Sequence, residues 1–126
     1  MNKILIVDDD KTFLEEMKTA LTSTGYDVEA ISEGAATVRV ADNNRPDLIL
    51  LDMKLDGISG FQVANDLKHF IGTRHIPVIA LTGCFTETLH KTFMKNLGIR
   101  ECFIKPINPD ELISKINDVL RERASA

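Results

Sequence analysis

Residues 4–13 read ILIVDDDKTF, four aliphatic side chains from Ile4 to Val7 running straight into three carboxylates, Asp8, Asp9 and Asp10. A short apolar run rich in β-branched residues, with no alternation, reads as a strand covered on both faces, the pattern of a parallel sheet flanked by helices. The end of such a strand opens into a crevice. Adjacent carboxylates there repel one another and resist desolvation unless a cation or hydrogen-bond donors balance them. Capping of a following helix by Asp9 or Asp10 accounts for one acid. At least one more needs a partner from elsewhere in the chain.

Outward from this stretch the same pattern recurs. Lys11 to Ser23 places Phe13, Leu14, Met17, Ala20 and Leu21 at helical spacing, with Gly25 as the stop. Tyr26 to Ile31 is β-branched, and Glu33 to Asn43 carries a weaker helical face through Ala36, Val38 and Val40. After Pro46 comes DLILLD, a second apolar run ending in a carboxylate, Asp52, then a glycine-containing loop and a helix through Phe61, Val63, Ala64, Leu67 and Phe70. Pro77 opens VIALTG, a strand ending at Thr82. Glu87 to Asn96 is expected to be helical and capped by Gly98. Cys102 to Ile104 forms a strand ending at Lys105, and Asn108 or Pro109 starts a last helix through about Arg121, leaving RERASA as a frayed tail. Five strands alternating with five helices imply an α/β sheet with parallel strands, right-handed crossovers and helices on both faces.

A length of 126 residues fits one domain, and a net charge of −4 with no basic stripe argues against nucleic acid as a direct partner. No stretch approaches the ~20 apolar residues that span a bilayer, and the N-terminus has no signal-peptide pattern, so no membrane insertion and a cytoplasmic location are expected. Cys84 and Cys102 lack metal-type spacing and are expected to be reduced thiols. His69, His75 and His90 show no paired ligand spacing, and Met17, Met53 and Met94 read as packing residues.

In sheets of this kind chemistry gathers at the carboxyl ends of the strands. The residues that fall there are Asp8, Asp9, Asp52, Thr82 and Lys105. Converging carboxylates form a hard oxygen site suited to Mg²⁺. Beside a divalent cation Asp52 can act as a nucleophile toward phosphorus, with the Thr82 hydroxyl and the Lys105 ammonium stabilising the remaining phosphoryl oxygens. The product would be an aspartyl phosphate.

On these residues, from Lys3 to about Leu120, the chain resembles the receiver domains of two-component response regulators, chemotaxis regulators among them. The resemblance implies a single receiver domain over 1–126, with its core at about 3–120. It also implies a doubly wound, flavodoxin-like, five-stranded sheet in the order 2-1-3-4-5. It assigns Asp52 as phosphoacceptor, Asp9 as a direct Mg²⁺ ligand, Asp8 as acting largely through water, and the Lys54 backbone carbonyl as a further ligand. Thr82 matches the switch hydroxyl, Lys105-Pro106 the lysine and the proline that often follows through a cis bond, and Gly60 the glycine closing the loop after the phosphoacceptor. The implied donor is a phosphohistidine on a sensor histidine kinase or histidine phosphotransfer protein. The implied output is a surface of the fourth helix, fifth strand and fifth helix, read by a downstream protein. Such a domain modifies itself and is not a turnover enzyme.

Two positions depart from the family pattern. Asp56 stands where proline is frequent, which is expected to leave that loop less constrained. Cys102 stands where Tyr or Phe is usual, and Phe103, one residue on, belongs to the opposite face of the strand. Dehalogenase-like phosphatases need a second Asp where Lys54 stands, and DDDK is ill suited to cradling the phosphate of FMN. A phosphorylation-independent protein-binding module of the same fold is the remaining alternative.

Overall fold

The computed structural model describes residues 2–83 and 91–125. In chain order the elements are β1 (Lys3–Val7), α1 (Lys11–Ser23), β2 (Asp27–Ile31), a 3-10 turn (Gly34–Ala36), α2 (Thr37–Asn44), β3 (Leu48–Asp52), α3 (Gly60–His69), β4 (Val78–Thr82), α4 (Lys91–Asn96), β5 (Ile99–Ile104) and α5 (Pro109–Ser125). The strands pair in parallel in the order β2-β1-β3-β4-β5. The order reverses between β1 and β3, so the crevice of a doubly wound sheet opens where their carboxyl ends lie side by side.

The strands bury both faces, and successive residues serve different cores. Leu5, Val7, Ile49, Leu51, Val78 and Ala80 pack with Ala41 of α2, Val63, Ala64 and Leu67 of α3 and Met94 of α4. Their neighbours Ile4, Ile6, Leu48, Leu50, Ile79 and Leu81 pack with Leu14, Met17 and Leu21 of α1 and Leu112, Ile116 and Val119 of α5. This explains why β1, β3 and β4 read as unbroken aliphatic runs: each position faces a helix layer. Among the described residues no helix is long and apolar enough to cross a membrane.

Among the described residues, element ends differ from the sequence expectation in three places. The expected helix from Glu33 opens instead with a 3-10 turn, because Gly34 passes under the loop after β3, where an added Cβ would lie 2.6 Å from Ile58 Cγ2 and 2.8 Å from Leu55 Cδ1. β5 begins at Ile99, opposite Val78, three residues earlier than Cys102. The charged pair Arg100 and Glu101 disguises this edge strand, and both side chains form ion pairs with α5, to Glu122 and Lys115. The RERASA tail is not frayed at Arg121: α5 continues to Ser125, and Arg123 donates to the Asp47 carbonyl at 2.6 Å and pairs with its carboxylate at 3.5 Å. The expected start of the fourth helix at Glu87, together with Cys84 and His90, lies outside the described residues.

Candidate functional site

All five candidate residues stand at the carboxyl end of the sheet. Asp8 and Asp9 follow β1, Asp52 ends β3, Thr82 ends β4 and Lys105 follows β5. Carboxylate oxygens of Asp8, Asp9 and Asp52 lie within 4.8 Å of one another. Asp8, Asp52 and Thr82 are buried, whereas Asp9 is half-buried. The Lys105 ammonium reaches in from the far edge, 2.6 Å from Asp8 Oδ2 and 3.8 Å from Asp52 Oδ2. Its backbone N–H donates to the Thr82 carbonyl at 2.7 Å, and the Lys105-Pro106 peptide is cis.

Each acid of the DDD run has a separate task. Asp8 Oδ1 accepts from the Asp10 N–H at 2.9 Å while Oδ2 takes Lys105. Asp9 Oδ2 accepts from the Asp56 N–H at 3.1 Å. Asp10 is the cap of α1, accepting from the Phe13 N–H at 3.1 Å. Across the crevice Asp52 Oδ1 accepts from the Lys54 N–H at 3.2 Å. Gly60 is required by contact: a Cβ there would fall 2.4 Å from Met53 Cα and 2.5 Å from the Asp52 carbonyl oxygen.

Burial raises the Asp52 carboxyl from 3.8 to about 6, opposed by the Lys54 N–H, raised further by Asp8, lowered by Lys105 and raised by Asp9. Among the described residues three carboxylates thus face the Lys105 ammonium, and burial with mutual repulsion keeps the Asp52 carboxyl raised. The donor set is hard oxygen, partly buried and in negative excess, which fits a divalent cation of the Mg²⁺ type and does not fit a soft metal.

The sequence over residues 4–117 matches the family of the response regulator receiver domain. The chain belongs to that family. This receiver is 35% identical over 120 residues to the protein PilH of Pseudomonas aeruginosa, an alignment covering 95% of this chain and 98% of that one. It is 32% identical over 119 residues to the DNA-binding response regulator MtrA of Mycobacterium tuberculosis, covering 94% of this chain but only 50% of that protein's length. Its fold superposes with a TM-score of 0.91 on the crystal structure of a CheY-like receiver domain protein from Methanospirillum hungatei, at 29% identity, covering 99% of this chain and 98% of the other.

Within the receiver the departures from the family pattern acquire a physical form. The loop at Asp56, expected to be less constrained, is tied by the Asp56 N–H to Asp9, by a bridge between Lys54 and Ser59, and by the Gly60 N–H to the Met53 carbonyl. A proline at position 56 would have no N–H to give Asp9. Cys102 packs toward the α2-α3-α4 layer and Phe103 toward the α1-α5 layer, so the two do face opposite ways. His69 and His75 are exposed, and Met17, Met53 and Met94 are buried in the cores. Sequence reasoning read Phe13 only as a core residue. Its ring also lies under Lys105, with the ammonium 4.3 Å from the ring centroid. The signal available was its place in the first turn of the helix that Asp10 caps.

Proposed function

We propose that this receiver accepts a phosphoryl group on Asp52 from a phosphohistidine of a sensor histidine kinase or histidine phosphotransfer protein. A carboxylate oxygen of Asp52 bonds to phosphorus as the phosphorus–nitrogen bond of the donor breaks, and the electron pair leaves on the imidazole nitrogen, which is then protonated by solvent. Asp8, Asp9, Asp52 and the Lys54 carbonyl would hold Mg²⁺, which when bound offsets the charge on the transferred oxygens. Lys105 supplies an ammonium to one phosphoryl oxygen and Thr82 a hydroxyl to another. The observation that carries this reading is the buried Asp52 carboxylate, grouped with Asp8 and Asp9 and 3.8 Å from the Lys105 ammonium.

The reading makes the chain a self-modifying signalling domain of the cytoplasm and not a turnover enzyme. Its output is a changed surface of α4, β5 and α5 that a downstream protein reads. With a cysteine in place of the usual aromatic at position 102, the change at β5 itself is modest.

Incubation with acetyl phosphate and Mg²⁺, followed by mass spectrometry, tests it. Labelling is expected at Asp52 alone, lost in Asp52→Asn and lost with chelator. Full labelling of the Asn variant, or labelling indifferent to chelator, overturns the proposal and leaves the phosphorylation-independent binding module.

A further inference from the structure

Lys105 has a backbone anchor, its N–H on the Thr82 carbonyl, but that bond fixes only the base of a long and flexible side chain. Among the described residues, besides the longer 3.8 Å ion pair to Asp52, two close contacts hold the charged end. One is Asp8 Oδ2, at 2.6 Å; the other is the face of the Phe13 ring, 4.3 Å from the ammonium to its centroid. We propose that Phe13 is a positioning residue for Lys105, its ring being the surface that keeps the ammonium aimed across the site at Asp52.

The two supports differ in kind. A carboxylate attracts an ammonium by accepting one of its N–H donors. An aromatic face attracts it through the ring quadrupole and uses up no N–H with a lone pair. With Phe13 beneath it, Lys105 is held by Asp8 and by the ring and still has donors to offer Asp52 or a group carried on Asp52. The side chain is only 23% exposed, so the attraction acts partly out of water, where cation–π contacts are strongest.

Phe13 is itself fixed by the acids it stands beside. Its N–H is on Asp10 Oδ1, the Asp10 N–H is on Asp8 Oδ1, and Asp8 Oδ2 holds the ammonium. Its side chain packs on the α1-α5 core. The capped first turn of α1 therefore sets both the carboxylate that receives Lys105 and the ring it lies on.

This inference rests on the phosphoacceptor reading above, and its test separates the two. The variants are Phe13→Leu, which keeps an apolar side chain without a ring face, and Phe13→Tyr, which keeps the face. The first measurement is the NMR shift of the Lys105 Cε protons, expected upfield of the other lysines in the wild type and in Phe13→Tyr and shifted back in Phe13→Leu. The second is the rate of Asp52 labelling by acetyl phosphate at fixed Mg²⁺, expected to fall about three- to ten-fold in Phe13→Leu and to return to within about two-fold of wild type in Phe13→Tyr. Thermal melts identify any variant whose loss comes from unfolding. Wild-type labelling in folded Phe13→Leu, or loss equal in both variants, overturns the role of Phe13 while leaving Asp52 as the acceptor. An unlabelled wild type with an intact Lys105 shift overturns the phosphoacceptor reading, and the role of Phe13 in it.

Discussion

Lys54 follows two residues after Asp52, its N–H on the Asp52 carboxylate and its side chain exposed at the mouth of the site. A long cationic side chain leaving from that point can pair with a phosphoryl oxygen and stand in the path of an in-line water. Its shielding should make the aspartyl phosphate long-lived. Lys54→Ala and Lys54→Asn are expected to release phosphate about two- to five-fold faster at saturating Mg²⁺, the modest factor that an exposed charge can supply. Release no faster than wild type in both variants would remove Lys54 from the account of hydrolysis. Asp56 belongs to the same rim. Its N–H on Asp9 was not legible from sequence, because the partner lies 47 residues away and only the folded crevice brings them together.

At the level of elements, the close contact at Gly60 joins α3 to the end of β3. Gly60→Ala pushes a Cβ against backbone atoms of Met53 and Asp52 that have no room to give, and is expected to cost about 3 kcal/mol and to slow labelling of Asp52. Gly83 has no described atom within 4 Å of its Cβ position, so Gly83→Ala should change stability by no more than about 0.5 kcal/mol. Urea titrations of the two variants compare them directly, and equal stabilities would show that the Gly60 contact relaxes. Strands β1, β3 and β4 were legible because aliphatic side chains fill every position that faces a helix layer. The start of α2 was not, since it depends on a loop passing over Gly34. The start of β5 was hidden by Arg100 and Glu101, whose charges suit an edge strand but mimic a loop. The last turn of α5 is held by Arg123 on Asp47, a contact between segments 76 residues apart that no local pattern announces. The site residues were legible by another route, as polar residues each ending its own apolar run; the Phe13 ring was not, because it belongs to a helix that looks ordinary on its own.

Across the whole molecule the site acts against the stability of the metal-free fold. The Asp52 carboxyl titrates at about 6 in the folded chain against an ordinary 3.8, so the folded state binds the proton more tightly. The stability this proton confers is fully present below 3.8 and is lost as pH rises through 6. Asp52→Asn removes the titration. At pH 8 without metal the Asn variant is expected to be more stable by about 2 kcal/mol, with the gap closing toward pH 4 and narrowing in saturating Mg²⁺. Thermal melts of both proteins over that pH range check the sign, and equal melting temperatures at pH 8 would refute it. The same grouping governs how a modification is felt at a distance. Among the described residues, three carboxylates against the ammonium of Lys105 leave about two negative charges in excess, which a divalent cation would cancel. An acyl phosphate then replaces one carboxylate charge with about −1.5 to −2, a net gain of one charge at most. A change that small, screened over a Debye length of about 8 Å in physiological salt, is faint at the outer surface of a helix. On the proposed function, a partner would therefore read the modification through contact and altered shape, and the signal should be largely indifferent to ionic strength.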